Sequence, residues 1–401
     1  MRSGVGCRIA FVLGLLFGAA SPSIAEQVLS PLVAMPVAQP RPVLAADDEQ
    51  HLAYEFVLLN MAGTPVALKK VEALDGASGT VLYTLEGDGL AQMFKLNGGG
   101  KGTELPGGGS GILFLDVTLP KDAALPKALK HRFDIEVAKP DAGGDTKGGT
   151  EKDRDPAPAS KQALVFTTDA LAVGPGAIVV APPLKGKSWV VGGGCCAPPS
   201  YHRGATLPIN GGIRVAERFA IDFVQLNDED RLASGAPDKL ESYGYFGDEI
   251  YSATDGTVVA VEDSLPEQVP GKLPADATIQ MAGGNHVVVD FGEGRYAFYA
   301  HMQPGSLKVK VGDTVKTGQV LGLLGNSGNT DAPHLHFHIM DGPSPLVSNG
   351  LPYVFTTFTG EGRVTDEDPL FKGGVVPIDK DALAGPHENE LPLADQIVAF
   401  P

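Results

Sequence analysis

From His51 onward the chain reads as short runs of alternating apolar and polar residues broken by turn formers. Ala53 to Leu59 leads into the turn Ala62-Gly63-Thr64, and Val66 to Ala73, Thr80 to Leu85, Gly111 to Leu119, His131 to Val137 and Leu164 to Thr168 continue the series. Within one of these runs Phe133, Ile135 and Val137 share a face, as a half-buried strand requires. The repetition predicts an antiparallel sandwich of immunoglobulin-like type over residues 51–185. The Pro- and Ala-rich residues 26–50 are expected to be extended. Residues 139–161 hold no large apolar side chain, so they cannot offset their ordering entropy, and a mobile loop inside this domain is expected. A boundary is placed near 183–200, where Pro182-Pro183, Gly192-Gly193-Gly194 and Pro198-Pro199 cluster. Residues 186–365 are again strand-rich, and the fold class expected for the whole chain is all-β. The acidic tail, residues 366–401, ends in the apolar run Ile397 to Phe400, which suits either an edge strand or an unstructured end.

Composition narrows the function classes. The 401 residues carry a formal charge of −17, a poor complement to phosphate backbones, so nucleic-acid binding is not expected. Residues 1–25 read as a secretory signal peptide. Arg2 and Arg8 precede the apolar run Ile9 to Ala20, and Ser23-Ile24-Ala25 gives the small-x-small cleavage pattern. That run is far short of the roughly 20 residues a spanning helix needs, so an exported protein, periplasmic or secreted, without an integral membrane segment is expected. Of the 3 cysteines, Cys7 lies in the leader and the others, Cys195 and Cys196, are adjacent. A disulfide scaffold is therefore impossible; a tight loop, a vicinal disulfide or a metal role remains open for the pair.

The chemistry concentrates in the second half. In Pro333-His334-Leu335-His336-Phe337-His338-Ile339, strand alternation places three imidazoles on one face and three apolar side chains on the other. Packing alone explains such a row poorly, because each ring brings a polar atom that needs a partner, whereas imidazole suits zinc. Asp222 sits between Ile221 and Phe223 in a second apolar run, where a carboxylate is costly unless paired or bound to a cation. His301 ends a third, Tyr296 to Met302, whose alternation groups it with Ala297 and Tyr299.

These stretches, with Gly284-Asn285-His286, Val309-Lys310-Val311-Gly312-Asp313 and Gly325-Asn326-Ser327-Gly328, resemble the LytM/lysostaphin-type zinc endopeptidases across residues 200–355. The resemblance implies a β-sandwich/barrel-sandwich hybrid catalytic domain that hydrolyses peptide bonds of bacterial peptidoglycan, with Zn2+ as cofactor and wall peptides as partner. It assigns Asp222 and His336 to the metal and His301 and His334 to catalysis. The family's remaining ligand is usually a histidine four residues before the aspartate. Here that position is Arg218, which stays protonated and cannot coordinate a cation. His202, in Tyr201-His202-Arg203, is the favoured replacement. His338 and no third protein ligand are the alternatives.

The departure also motivates a second reading, a catalytically inactive relative that binds the wall or activates an amidase. The run Val309 to Leu324 further resembles the hairpin of biotinyl and lipoyl carriers, but no lysine sits in an attachment context. The segment Asn227 to Glu249, with Tyr243 and Tyr245, is either an overhang that shapes the groove or a plain surface loop. Nothing in the N-terminal half gathers titratable groups into a site, and a positioning or wall-binding role is expected for it.

Overall fold

The structure is a computed structural model, and it describes residues 28–138, 161–196, 198–275 and 278–401. The expected signal peptide, residues 1–25, and nearly all of the loop expected at 139–161 lie outside the described residues. Among the described residues the regular structure is almost wholly strand, with only single turns of helix such as Gly87–Gln92 and Tyr201–Gly204.

Two antiparallel sheets form the N-terminal sandwich. One pairs Leu32–Pro36 with Glu49–Asn60, Ser110–Pro120 and Phe94–Leu96; the other pairs Lys161–Thr167 with Ala128–Ala138, Val66–Asp75 and Val81–Glu86. Leu52, Tyr54, Phe56, Val66, Leu68, Phe133 and Ile135 from the two inner faces make a common core. Alternation drives this arrangement: Phe133 and Ile135 are buried, as their shared face requires. The residues before position 51 contribute directly, since both Leu32–Pro36 and Pro42–Leu44 hydrogen-bond to Glu49–Asn60.

The second half is built on a long antiparallel sheet whose central order is Gly256–Glu262, Asn285–Asp290, Tyr296–Met302, Leu335–Met340, Ile221–Gln225, Gly186–Gly192, Gln396–Phe400 and Phe358–Val364. Leu335, Phe337 and Ile339 enter the main core with Ile221, Phe223, Val287, Val289 and Tyr299. The opposite face carries the histidines. The run Ile397 to Phe400 is neither an edge strand nor unstructured: it is flanked by strands on both sides, and Ile397, Val398 and Phe400 are buried. An apolar strand saves most backbone and side-chain desolvation cost in the sheet interior, which explains the placement.

Tyr243 and Tyr245 do not overhang any groove. Both are buried in the main core, where Tyr245 meets the single tryptophan, Trp189, edge to face. Cys195 and Cys196 are joined as a vicinal disulfide in the loop that follows Gly186–Gly192.

Candidate metal centre

Three adjacent strands set the centre. Asp222 pairs with His336 across one strand boundary, and His336 pairs with Ala300 across the next. Because Ile221 and Phe223 point into the core, Asp222 must point to the histidine face, directly beside His336. The His336 Nδ1 lies 2.8 Å from Asp222 Oδ1. His202 comes from outside the sheet, on the helical turn Tyr201–Gly204, and its Nε2 is 3.2 Å from Asp222 Oδ2. Ligand atoms of His202, Asp222 and His336 all lie within 4.8 Å of one another.

The ring of His202 is oriented from behind. Its Nδ1 faces the carbonyls of Gly193 and Ala220 at 3.0 and 3.2 Å, so Nδ1–H donates there and Nε2 is left to face the carboxylate. Gly193 has φ +62°, and a Cβ on it would stand 2.6 Å from His202 Nδ1; a side chain there would displace the ring. Burial opposes charge on His202, yet the neighbouring Asp222 carries it up to about 9. Asp222 itself is held well below the usual carboxylate range: burial works against its ionisation, and the surrounding imidazoles outweigh it. The cluster therefore demands positive charge beside this carboxylate.

That donor set fits a cation of zinc's preference. Two imidazole nitrogens and a carboxylate converge with their ligand atoms within 4.8 Å of one another, the nitrogen and oxygen donor types that zinc takes. His338 does not join the set. Its Nδ1 is 2.9 Å from His336 Nε2, on the far side of that ring, and its own Nε2 is buried without a partner among the described residues. It supports His336 from behind.

His334 and His301 flank the cluster, with ring centroids 4.3 Å apart. His334 rests Nδ1 on the Ala332 carbonyl at 2.9 Å, and its Nε2 is 3.4 Å from Asp222 Oδ1. Simple alternation would send His301 into the core with Tyr299. Instead its backbone is left-handed, φ +63°, which turns the ring to the histidine face. Such a conformation costs a non-glycine residue of order 1–2 kcal/mol. The ring is anchored there by Nδ1–H donating to the Ser327 carbonyl at 2.7 Å. Gly284 permits that contact, because a Cβ on it would meet Ser327 O at 2.1 Å. Burial, with the nearby His334 and His336 rings, holds His301 well below the usual imidazole range.

The cluster forms the floor of a cavity of about 410 Å³ whose walls include Leu273, Ile279, Leu346, Leu370 and Phe371. Two residues of the centre escaped the sequence reading. Tyr201 donates its Oη–H to Asp222 Oδ2 at 2.9 Å, and only its position next to His202 hints at it. Glu55, flanked by Tyr54 and Phe56, is wholly buried and accepts from Arg203 and Arg218. The argument applied to Asp222, a carboxylate inside an apolar strand, would have found it.

Residues 243–347 match the family model Peptidase family M23. That segment of the carboxy-terminal half is thus similar to M23 peptidase domains. Similar curated proteins include glycyl-glycine endopeptidase ALE-1 of Staphylococcus capitis, 38% identical over 71 residues (18% of this chain and 19% of that protein). Peptidoglycan DD-endopeptidase ShyA of Vibrio cholerae is 32% identical over 82 residues, 19% of either chain. The chain thus spans about a fifth of the length of these relatives. Among solved structures, the catalytic domain of lysostaphin from Staphylococcus simulans is 24% identical, with 41% of this chain and 88% of that chain covered and a TM-score of 0.24. The matched M23 segment contains His301, His334 and His336; His202 and Asp222 precede it and reach the centre through strand pairing and the turn at 201–204.

Proposed function

We propose that the protein is an exported zinc metalloendopeptidase that hydrolyses peptide bonds of bacterial cell-wall peptidoglycan. The observation that carries the reading is the approach of His202 to Asp222 and His336, which supplies an imidazole where Arg218 stands in place of the family's usual ligand. It weighs against the inactive, wall-binding or amidase-activating alternative, whose motive was the missing ligand. Peptidoglycan as substrate rests on the curated relative ShyA, a peptidoglycan DD-endopeptidase, and peptide-bond cleavage on it and the endopeptidase ALE-1.

His202 through Nε2, Asp222 through its carboxylate and His336 through Nδ1 would hold the ion. When bound, zinc supplies a Lewis acid and lowers the pKa of water to about 7. The protein's residues do the rest. The apolar walls around Leu273, Leu346 and Phe371 offer contact surface that would orient a peptide across the cavity floor. His301, with Nδ1–H fixed on Ser327 O and its ring kept neutral by burial, presents a lone pair at Nε2 as the proton acceptor. His334, braced on Ala332 O, stands beside it to stabilise the developing oxyanion or to protonate the leaving amine.

The test is zinc stoichiometry of the purified mature chain together with muropeptide release from sacculi. One zinc per chain and release that is lost in His202→Ala are expected. Sub-stoichiometric metal with no release would overturn the enzyme reading in favour of the binding module.

A further inference from the structure

The N-terminal sandwich reaches the metal centre through one buried carboxylate. Glu55 lies on Glu49–Asn60, with no exposed surface, and each of its oxygens takes a guanidinium from the second half of the chain. Oε1 accepts from Arg203 Nε at 2.9 Å; Oε2 accepts from Arg218 Nε and Nη2 at 2.9 and 2.6 Å. Burial would raise the Glu55 carboxyl, but Arg218 and Arg203 outweigh it and hold it below its usual range.

Arg203 follows His202 on the turn Tyr201–Gly204. Four residues are far too few to hold a helical turn by themselves. Within the turn Ser200 O and Oγ accept from Gly204 N and Arg203 N; outward, Tyr201 reaches Asp222, His202 reaches the Gly193 and Ala220 carbonyls, and the Arg203 side chain ties the turn to the sandwich. That guanidinium donates to Glu55, to the Tyr54 and Leu115 carbonyls of the sandwich at 3.0 and 2.6 Å, and to the Cys196 carbonyl at 2.7 Å. The Gly193–Cys196 loop thus receives both His202, at Gly193 O, and Arg203, at Cys196 O. Sandwich, turn and loop lock one another around the imidazole.

We propose that Glu55 is a positioning residue of the metal centre: it fixes Arg203 and, through the turn 201–204, the imidazole of His202. The sandwich is then a structural part of the site and not only an appended wall-binding module. The inference rests on reading His202 as a zinc ligand. Arg218, at the position where the family usually has a ligand, is the second arm of the same clamp.

The experiment uses the full mature chain and reads zinc affinity by competition with a chelating dye, the visible absorption spectrum of the cobalt-substituted protein, and the unfolding temperature. Glu55→Gln and Arg203→Lys are expected to weaken zinc binding by about 10–100-fold, the usual cost of losing a group that orients a ligand, and to change the cobalt spectrum. Glu55→Asp, which keeps the charge, should restore part of the affinity. Ile135→Ala, in the sandwich core on the sheet opposite Glu55, should lower the unfolding temperature without moving either metal readout. Folded Glu55→Gln or Arg203→Lys protein with unchanged zinc affinity and cobalt spectrum overturns the inference, as does equal weakening by Ile135→Ala. If both clamp variants fail to fold, Glu55→Asp decides between the same two outcomes. His202→Ala separates the two levels: unchanged zinc affinity in that variant refutes the ligand reading itself, whereas its loss with an intact Glu55→Gln site refutes only the positioning role.

Discussion

Replacing Arg218 with histidine would write the family's usual residue back into the chain, and the structure predicts harm instead of gain. Arg218 is buried and its guanidinium is spent on Glu55 and on the Gly350 carbonyl, at 3.0 Å, so the side chain runs to the domain junction and not to Asp222. Histidine is too short to keep both contacts. Glu55 Oε2 would lose two charge-assisted hydrogen bonds and remain fully buried. Removing one partner of a buried ion pair costs roughly 3–5 kcal/mol, and the surviving Arg203 contact places the value at about 3. Trp189, the single tryptophan, is fully buried in the core of the second half, so its fluorescence during urea unfolding reports the loss. The expected result is a clearly lower urea midpoint for Arg218→His, with zinc affinity and muropeptide release no higher than in the parent chain. A variant that binds zinc more tightly, or hydrolyses faster, at an unchanged midpoint would show that position 218 still belongs to the metal and would refute the clamp.

Two further outcomes follow from the same geometry. His301→Asn keeps a residue that tolerates the left-handed backbone but removes the Nε2 proton acceptor, so zinc content should hold while kcat falls by about 10²–10⁴-fold; an active variant would remove His301 from the chemistry. In the sandwich, burial opposes charge on His51, but its contacts with Asp116 and Asp47 push it up to about 10. A raised folded pKa means that this stabilisation is complete below about 6.5 and is lost as pH climbs towards 10, with a ceiling of about 5 kcal/mol. Urea midpoints of parent and His51→Gln should converge over that interval; parallel pH profiles would contradict the assignment.

Much of the centre was legible from alternation and motif. Asp222, His334 and His336 sit where a two-residue period must put them, on the face opposite Ile221, Phe223, Leu335 and Phe337. Three features resisted. The ring direction of His301 depends on one left-handed residue that overrides the strand period. The tyrosines at 243 and 245, flanked by glycines, read as loop yet fill the core beside Trp189. The run Ile397 to Phe400, at the very end of the chain, becomes an interior strand because partners far away in sequence flank it.

The amino-acid order alone determined the local terms: which stretches are strands, which side of each strand is apolar, and that three imidazoles share one face of their strand. Those follow from chain geometry and from the free energy of burying apolar surface, both of which act over a few residues. Only the tertiary structure decided that His202, 20 positions before Asp222, closes the cluster, and that Arg203 and Arg218 turn away to share Glu55. Such pairings bring together groups up to 163 residues apart. Their energy depends on burial and direction in three dimensions, which no local pattern encodes.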